Sequence, residues 1–430
     1  MLRTTSLLAA LGLMLALPRL AAADGAPVAA PPSASETAGA AGTENVAAAP
    51  SFLGRFKPTV DLRARAEFGD QDTRDESMSW TVRGRFGLQA QISEEWTSFA
   101  EIEHTRTPDR QSYQAGSVHG LGQNKVVIAD PESFELNQLW LAYTGNGLAA
   151  KAGIQRVIID NARFVGNVGW RQNEQTYDGV TLAYSGIEKV ELKYGYLYNV
   201  RRIFGTERKR APAQKDYDSR SHYVTASYAP SPALKLTGYG FLLDLENAAG
   251  ATDSNDTLGA SLTGVVPTGP AQLSYRLEYA MQRDAADNPR DYRADYLHAY
   301  TNAKLEKFDF GVGYEVLGAG DGVGFNTPLA TLHAFNGFAD TFLVTPNIGL
   351  RDFYVEVGTS ALPFGFTARA IYHDFKAEDD GTDLGYEIDF VVAKPLPWNM
   401  KSLLKAAFYE AEEGNFLDTQ RLTFQVEYTY

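Results

Sequence analysis

The sequence predicts an all-β fold, a transmembrane antiparallel β-barrel of eighteen strands with short periplasmic turns and long extracellular loops. Three observations carry that expectation. Along the final stretch, Gln420 to Tyr430, the residues alternate without a break: Leu422, Phe424, Val426, Tyr428 and Tyr430 share one face, and Arg421, Thr423, Gln425, Glu427 and Thr429 share the other. A strand repeats every two residues, so this is a ribbon with one apolar and one polar side, and its length matches the roughly 9–11 tilted residues that cross a bilayer. Elsewhere no window approaches the roughly 18 consecutive apolar residues of a membrane helix, which excludes a helical membrane protein. The connections between period-two stretches also alternate between tight and long, as in a barrel with both ends in the periplasm.

The elements follow in chain order. Arg3, the apolar run Leu7 to Leu17 and the small residues Ala21-Ala22-Ala23 read as a secretory signal peptide over 1–23. Residues 24–55, rich in Ala, Pro, Ser and Thr as far as Pro50, read as a flexible periplasmic segment with the reach to meet a periplasmic partner. The barrel occupies 56–430. Its first strands, at 57–68 and 78–92, carry Val60-Leu62-Ala64-Ala66-Phe68 and Trp80-Val82-Gly84-Phe86-Leu88-Ala90-Ile92 on one face. Strands follow at 96–106, 134–144, 149–157, 176–185, 188–199, 221–229 and 234–245. The remainder fall at 255–266, 270–283, 292–304, 307–317, 349–360, 364–376, 382–393, 398–410 and 420–430. Tight turns at Ser93-Glu94-Glu95, Gly145-Asn146-Gly147, Pro230-Ser231-Pro232 and Leu396-Pro397 all follow even-numbered strands, and the long connections 107–133, 158–175, 200–220 and 318–348 follow odd-numbered ones. At 134–144 two phases compete: Leu139, Leu141 and Tyr143 against Leu136, Trp140 and Ala142.

Composition agrees with this architecture. Glycine (39), tyrosine (23) and phenylalanine (23) are plentiful while mean hydropathy is −0.26, as expected when half of each membrane strand faces water. There is no cysteine, so closure in lipid rather than disulfides must hold the fold. With 53 acidic against 39 basic residues and a net charge of −14, nucleic acid is not a partner. The expected surroundings are outer-membrane lipid and lipopolysaccharide, and the expected location is the cell outer membrane.

A barrel this wide leaves an aqueous channel, so a pore is the default function. Burying Arg or Lys against mid-bilayer lipid costs about 2–4 kcal/mol, which turns Asp61, Arg63, Arg65 and Glu67 inward, with Arg83, Arg85, Gln89 and Gln91. If 69–77 closes the first hairpin symmetrically, Arg63 lies near Arg83 and Arg85 near Asp61. Like charges opposite each other are destabilising, so carboxylates or an anionic ligand must compensate. Barrel closure brings Arg421 and Glu427 beside the first strand, and Lys193, Arg276, Glu278, Arg369 and Lys405 add to the lumen. Two readings stand. The arginines form salt-bridge ladders that stiffen a wet wall, or they form a track for an anionic solute, which guanidinium matches in a bidentate way.

Two loop segments carry a resemblance. One is G-I-Q-R-V-I-I-D-N-A-R-F-V-G-N-V-G-W-R-Q-N-E-Q-T-Y-D-G, from Gly153 to Gly179; the other is F-N-T-P-L-A-T-L-H-A-F-N-G-F-A-D-T-F, from Phe325 to Phe342, followed by Thr345-Pro346 and Gly349-Leu350. Both resemble the alginate export family of outer-membrane porins. The resemblance implies an eighteen-stranded barrel whose arginine-rich constriction passes an acidic polysaccharide, with an extracellular loop folded into the lumen as a gate. It would set Asp160, Arg163, Trp170, Arg171, Gln172, Asn173 and Asp178 on that inward loop. The G-R-Q that usually opens the first segment is here Gly153-Ile154-Gln155-Arg156, so the arginine is displaced.

Enzymatic chemistry finds little support. His104 beside Glu101 and Glu103, and His373 beside Asp374, are the candidate acid–base pairs, but spacing places no nucleophile with either. Acidic loop clusters such as Asp70-Gln71-Asp72 lack the spaced glycine and terminal glutamate of an EF-hand, and no metal or cofactor is expected. The basic run Arg201-Arg202 to Arg208-Lys209-Arg210 is either a solvated loop or a contact for lipopolysaccharide phosphates or an anionic substrate. The functional expectation is therefore a passive channel for an anionic polysaccharide or oligosaccharide. The alternative is a porin for small solutes such as organic acids or sugars, and an outer-membrane enzyme or adhesin comes third.

Overall fold

A computed structural model describes residues 52–116, 124–205, 216–247 and 250–430. The signal peptide expected at 1–23, most of the segment 24–55 and the Arg208-Lys209-Arg210 end of the basic run lie outside the described residues. Eighteen strands build the barrel. They are β1 (Phe56–Gln71), β2 (Ser77–Gln91), β3 (Trp96–Arg106), β4 (Ser133–Gly145), β5 (Leu148–Gln155) and β6 (Thr176–Ile187). Next come β7 (Val190–Arg201), β8 (Asp216–Ser231), β9 (Leu234–Leu243), β10 (Asn255–Thr268), β11 (Ala271–Asp284) and β12 (Arg293–Leu305). The last six are β13 (Phe308–Leu317), β14 (Leu350–Thr359), β15 (Thr367–Lys376), β16 (Asp383–Leu396), β17 (Met400–Glu410) and β18 (Thr419–Thr429). Each is antiparallel to the strand before it. The last pairs back on the first, from Asp61 opposite Thr429 to Gln71 opposite Thr419, so the sheet has no free edge.

Facing follows the two-residue period. In β2, Val82 is 58% exposed on the outer face while its neighbour Thr81 is 2% exposed within. Trp80, Phe86 and Leu88 continue the outer belt, and Ser79 and Arg83 the inner face. In water such a belt would be an aggregation surface; in lipid it is the solvated side. Between β4 and β5 the tight connection has φ of 53° at Asn146 and 76° at Gly147, the left-handed pair that a two-residue hairpin requires.

The competing phases of β4 resolve into a β-bulge. Glu101 of β3 pairs with Gln138 and the next residue, Ile102, pairs with Leu136, so Asn137 is the extra residue. Phe134 and Leu136 face lipid before it, Leu139 and Leu141 after it, and both Asn137 and Gln138 turn inward. Both sequence phases are therefore used, one on each side of the bulge. Strand β8 begins at Asp216 rather than near 221, extending the wall beyond the membrane on the long-loop side.

The interior differs from the hydrated lumen that alternation alone suggests. Two long loops, 156–175 after β5 and 318–349 after β13, turn back inside, and their apolar residues need a dry partner. Phe164 stacks on Phe241 at 5.3 Å and meets Tyr296 at 5.4 Å and Phe325 at 6.1 Å, edge-on in both cases. Val165 and Leu329 join the two loops in this cluster. One side of the upper barrel is thus packed, and the site lies where that packing meets the charged wall.

Candidate functional site

The first hairpin has the register that symmetric closure requires: Arg63 is opposite Arg83, and Asp61 is opposite Arg85. On its other side Arg63 faces Glu427 of β18. The protein itself supplies the anions this crowd needs. Arg63 donates to Glu427, Arg83 to Asp61, and Arg85 to Glu103. Arg65 reaches Asp130 at 3.2 Å and the Gln425 side chain at 3.1 Å. Glu67 accepts from Arg171 at 3.1 Å and Arg421 at 3.3 Å. These arginines face inward, but not onto open water; Arg83 is fully buried and Arg65 is 2% exposed. An arginine surface bathed by solvent is not what this wall presents, because a loop covers it.

That cover is the segment 156–175. Arg63 donates to the carbonyl oxygens of Gly169 and Trp170, both at 3.1 Å, and of Arg171 at 3.2 Å. The Trp170 ring lies 4.2 Å from the Arg65 guanidinium, a cation–π contact. Gln172 binds Asp130 through its backbone N–H at 2.7 Å and Thr81 through its side chain at 2.8 Å; Asn173 donates to the Ile203 carbonyl at 3.1 Å. Glu174 is the hub. It accepts from Arg156 at 2.7 Å, from Asn137 of the bulge at 2.7 Å and from Asn167 at 2.7 Å, and it lies 3.6 Å from Arg85. Burial opposes its charge, but Arg156 and Arg85 outweigh that cost and hold its carboxyl far below the usual range. The displaced Arg156 noted in the sequence is thereby the main partner of Glu174.

The second loop locks onto the first. Gly166 N–H donates to the Leu329 carbonyl at 2.8 Å, and Thr331 N–H donates to Ala162 at 3.0 Å. Arg163, 2% exposed, is held by Glu315 of β13 at 2.8 Å and Asn336 at 3.1 Å. Arg171 also reaches Asp340 at 2.6 Å; burial works against its charge, yet Glu67 and Asp340 raise its pKa further. Trp170 stacks flat on His333, with centroids 4.4 Å apart and planes 9° apart. His333 Nδ1 is 2.6 Å from Asp340 and Nε2 is 3.0 Å from Lys405 Nζ. A lysine donating to Nε2 requires a neutral ring whose Nδ1–H goes to Asp340. Burial accordingly drives the His333 pKa down to about 3, against the pull of Asp340 and with the help of Lys405.

The opposite wall is different. Arg276 of β11 binds Asp160, at the edge of the first loop, and Glu278 at 2.7 Å. Arg369 of β15 binds Glu356 at 2.5 Å and Asp309 at 2.8 Å, and 26% of its side chain stays exposed. Arg421 of β18 belongs to the first wall, paired with Glu67 at 3.3 Å and donating to the Ala339 carbonyl of the second loop at 2.7 Å. Asp178 is corrected: it is the third residue of β6 rather than part of the loop, bound to Asn199 at 2.7 Å and Arg201 at 3.1 Å. The strand starts at Thr176, so the loop ends before Asp178.

A sequence reading of the loop names its positive and aromatic residues but misses the carboxylates that seat it: Glu174, Asp130, Asp340 and Glu315. Glu174 and Asp340 sit inside the two quoted segments, where a buried-charge count would have flagged them. Neither His104 nor His373 pairs with the acids beside it in sequence. His373 faces inward to Asp352 at 2.9 Å, not to Asp374, and His104 binds the Ser133 carbonyl at 2.9 Å.

Comparison with known proteins fits this geometry. A family model described as Alginate export matches residues 49–316, well over half of the chain. The chain belongs to the alginate export family. Its fold is also that of solved outer-membrane porins. OpdL of Pseudomonas aeruginosa is 18% identical, covering 88% of this chain and 99% of that one at a TM-score of 0.65. OpdK of the same organism, solved with vanillate, is 15% identical, covering 87% and 99% at 0.66. OccAB4 of Acinetobacter baumannii is 15% identical, covering 87% and 98% at 0.66. No curated protein matches the chain. This alginate export family member is an outer-membrane channel, embedded in the lipid its outer belt requires.

Proposed function

We propose that the barrel passes an anionic saccharide passively, one sugar ring at a time, along the wall that the loops leave open. The observation that carries this reading is the contrast between the arginines of β1 and β2 and Arg369. The guanidinium groups of β1 and β2 are spent on seating a loop, whereas Arg369 keeps 26% of its side chain exposed; Arg276, at 12%, is covered about as well as Arg63 at 11%. The family match supports a saccharide, and the infolded loops support a narrow rather than a general pore. Arg63, Arg65, Arg83 and Arg85 then act as positioning residues that shape the constriction, with Glu67 and Arg421 beside them.

A second reading, a porin for small organic acids or neutral solutes, is favoured by the acids that neutralise most of the lumen arginines. Planar-bilayer recordings separate the two. The expected result is anion preference and current block by an oligouronate, with the Arg276→Gln plus Arg369→Gln variant losing most of both. Anion preference with no oligouronate block at millimolar concentration would hand the function to the second reading.

A further inference from the structure

The open wall carries a feature that charge does not explain. Cross-strand register puts Arg276 of β11 opposite Tyr300 of β12, Tyr300 opposite Gly313 of β13, and Gly313 opposite Tyr354 of β14. These residues form one row across the inner wall. Gly313 is a notch: a Cβ added there would lie 2.0 Å from Tyr354 Cζ, so the ring lies down over the glycine backbone. Its hydroxyl is 2.9 Å from His298 Nε2, which pins the ring in that pose. The Tyr300 ring continues the surface, centroid 6.1 Å away and planes 23° apart, with its hydroxyl donating to Glu356. Above this row Tyr296 is fully buried by the loops, but Tyr300 and Tyr354 are only partly buried. Both rings touch His298 and Tyr354 also touches His373, all on the same wall, and among the described residues no loop ring stacks on either tyrosine.

An aromatic face buried in a polar channel is costly unless something apolar covers it. We propose that Tyr300 and Tyr354, floored by Gly313, form a stacking subsite for the pyranose ring of a saccharide. A pyranose has an apolar face of axial C–H groups and a rim of hydroxyls. The face lies on the two rings. The rim meets donors on Asn302 and Arg369 and acceptors on Glu356 and Asp309, already joined in one network (Arg369 to Asp309 at 2.8 Å, Asn302 to Glu356 at 3.4 Å). Hydroxyls exchange into such a network; a bare carboxylate there would face Glu356 and Asp309. The subsite rests on the saccharide reading above and adds the ring-recognition element that the arginines lack.

Current block in planar bilayers, with the purified full-length protein, tests it. The probes are a neutral gluco-oligosaccharide, an oligouronate and acetate. Tyr300→Ala plus Tyr354→Ala is expected to raise the half-blocking concentration of both saccharides roughly ten-fold or more. Its acetate permeability and anion preference should remain those of the native channel. Tyr354→Phe, which keeps the ring, is expected to retain most of the block. Gly313→Ala, which lifts the ring off the wall, is expected to lose it. If the native channel is blocked by oligouronate and the double alanine variant is blocked equally well, the subsite is wrong while the saccharide reading survives. If no saccharide blocks the native channel, both fall together. Normal ion conductance in each variant verifies that the barrel has formed.

Discussion

Two walls of one barrel carry arginines at similar depth and use them in opposite ways. On β1, β2 and β18 the guanidinium groups are buried, paired with Glu427, Asp61 and Glu103, and capped by the carbonyls of Gly169, Trp170 and Arg171. On β15, Arg369 is paired as well, but 26% of its side chain stays exposed, while Arg276 of β11 is held by Asp160 of the loop and Glu278. The difference lies in what covers them. Loop 156–175 brings Glu174 and its own backbone oxygens to the first wall, and meets the second through side chains, Asp160 on Arg276, Arg163 on Glu315 and Phe164 on Tyr296. Counting arginines on a lumen face therefore does not locate a selectivity filter; the covering segment decides.

The contrast can be broken most directly at Glu174. Glu174→Ala removes the main partner of Arg156 and one of the acids around Arg85, which keeps Glu103; breaking a buried pair costs about 3–5 kcal/mol, and the 35% exposure of Arg156 lowers the expected loss below that range. The expected outcome is a loop that leaves its seat: higher and noisier single-channel conductance, and protease cleavage within 156–175, in a barrel that still forms. Unchanged conductance would mean the seat does not hold the loop.

Acidification should loosen the same seat by a different route. His333 is neutral in its packed position, with its pKa lowered to about 3, while a released loop would carry an ordinary histidine. A depressed pKa gives stability that is present above the ordinary value and lost as pH falls. Docking should thus weaken from about pH 6.5 downward. Asp340 adds to the loss at lower pH: burial opposes its charge, but His333 and Arg171 hold its carboxyl well below the usual range. Conductance noise measured against pH should rise over this window, and His333→Gln should remove the portion above about pH 5.

On the open wall, Arg369→Gln should cost only about 1 kcal/mol, because the ion pair is partly solvated. Thermal unfolding followed by heat-modifiable gel mobility should barely move while ion selectivity does. A large loss of stability there would erase the distinction between the walls. The smallest change is expected from deleting Asn137. Removal of the extra residue leaves Phe134, Leu136, Leu139 and Leu141 all facing lipid, so the barrel should assemble normally and lose the bulge's hydrogen bonds to Glu174 and Glu101.

Much of this architecture was legible in the residues because lipid imposes a strict two-residue rule. Inward arginines on β1 and β2, the pairing of Arg63 with Arg83 and the return of Glu427 to Arg63 all follow from alternation plus symmetric turns. The β4 ambiguity was legible too, as two phases that no flat strand could satisfy. What period cannot encode is contact across the lumen. Arg171 meets Asp340 and Arg163 meets Glu315 across more than a hundred residues of sequence, and no local pattern names such partners. The misplacement of Asp178 has another root: the resemblance set it on the loop, while the two-residue period had already set a strand at 176–185, and the strand is what forms.

The seam between β1 and β18 has a consequence for assembly. Arg63 and Arg65 take part of their pairing from Glu427 and Gln425, residues of the strand that closes the barrel. Until the C-terminal strand zips against the N-terminal one, the cradle for 156–175 is half built and its cations are unbalanced. Insertion and sealing of the cylinder must therefore precede the narrowing of its interior, so a protein stalled before closure would be not merely open-sided but wide.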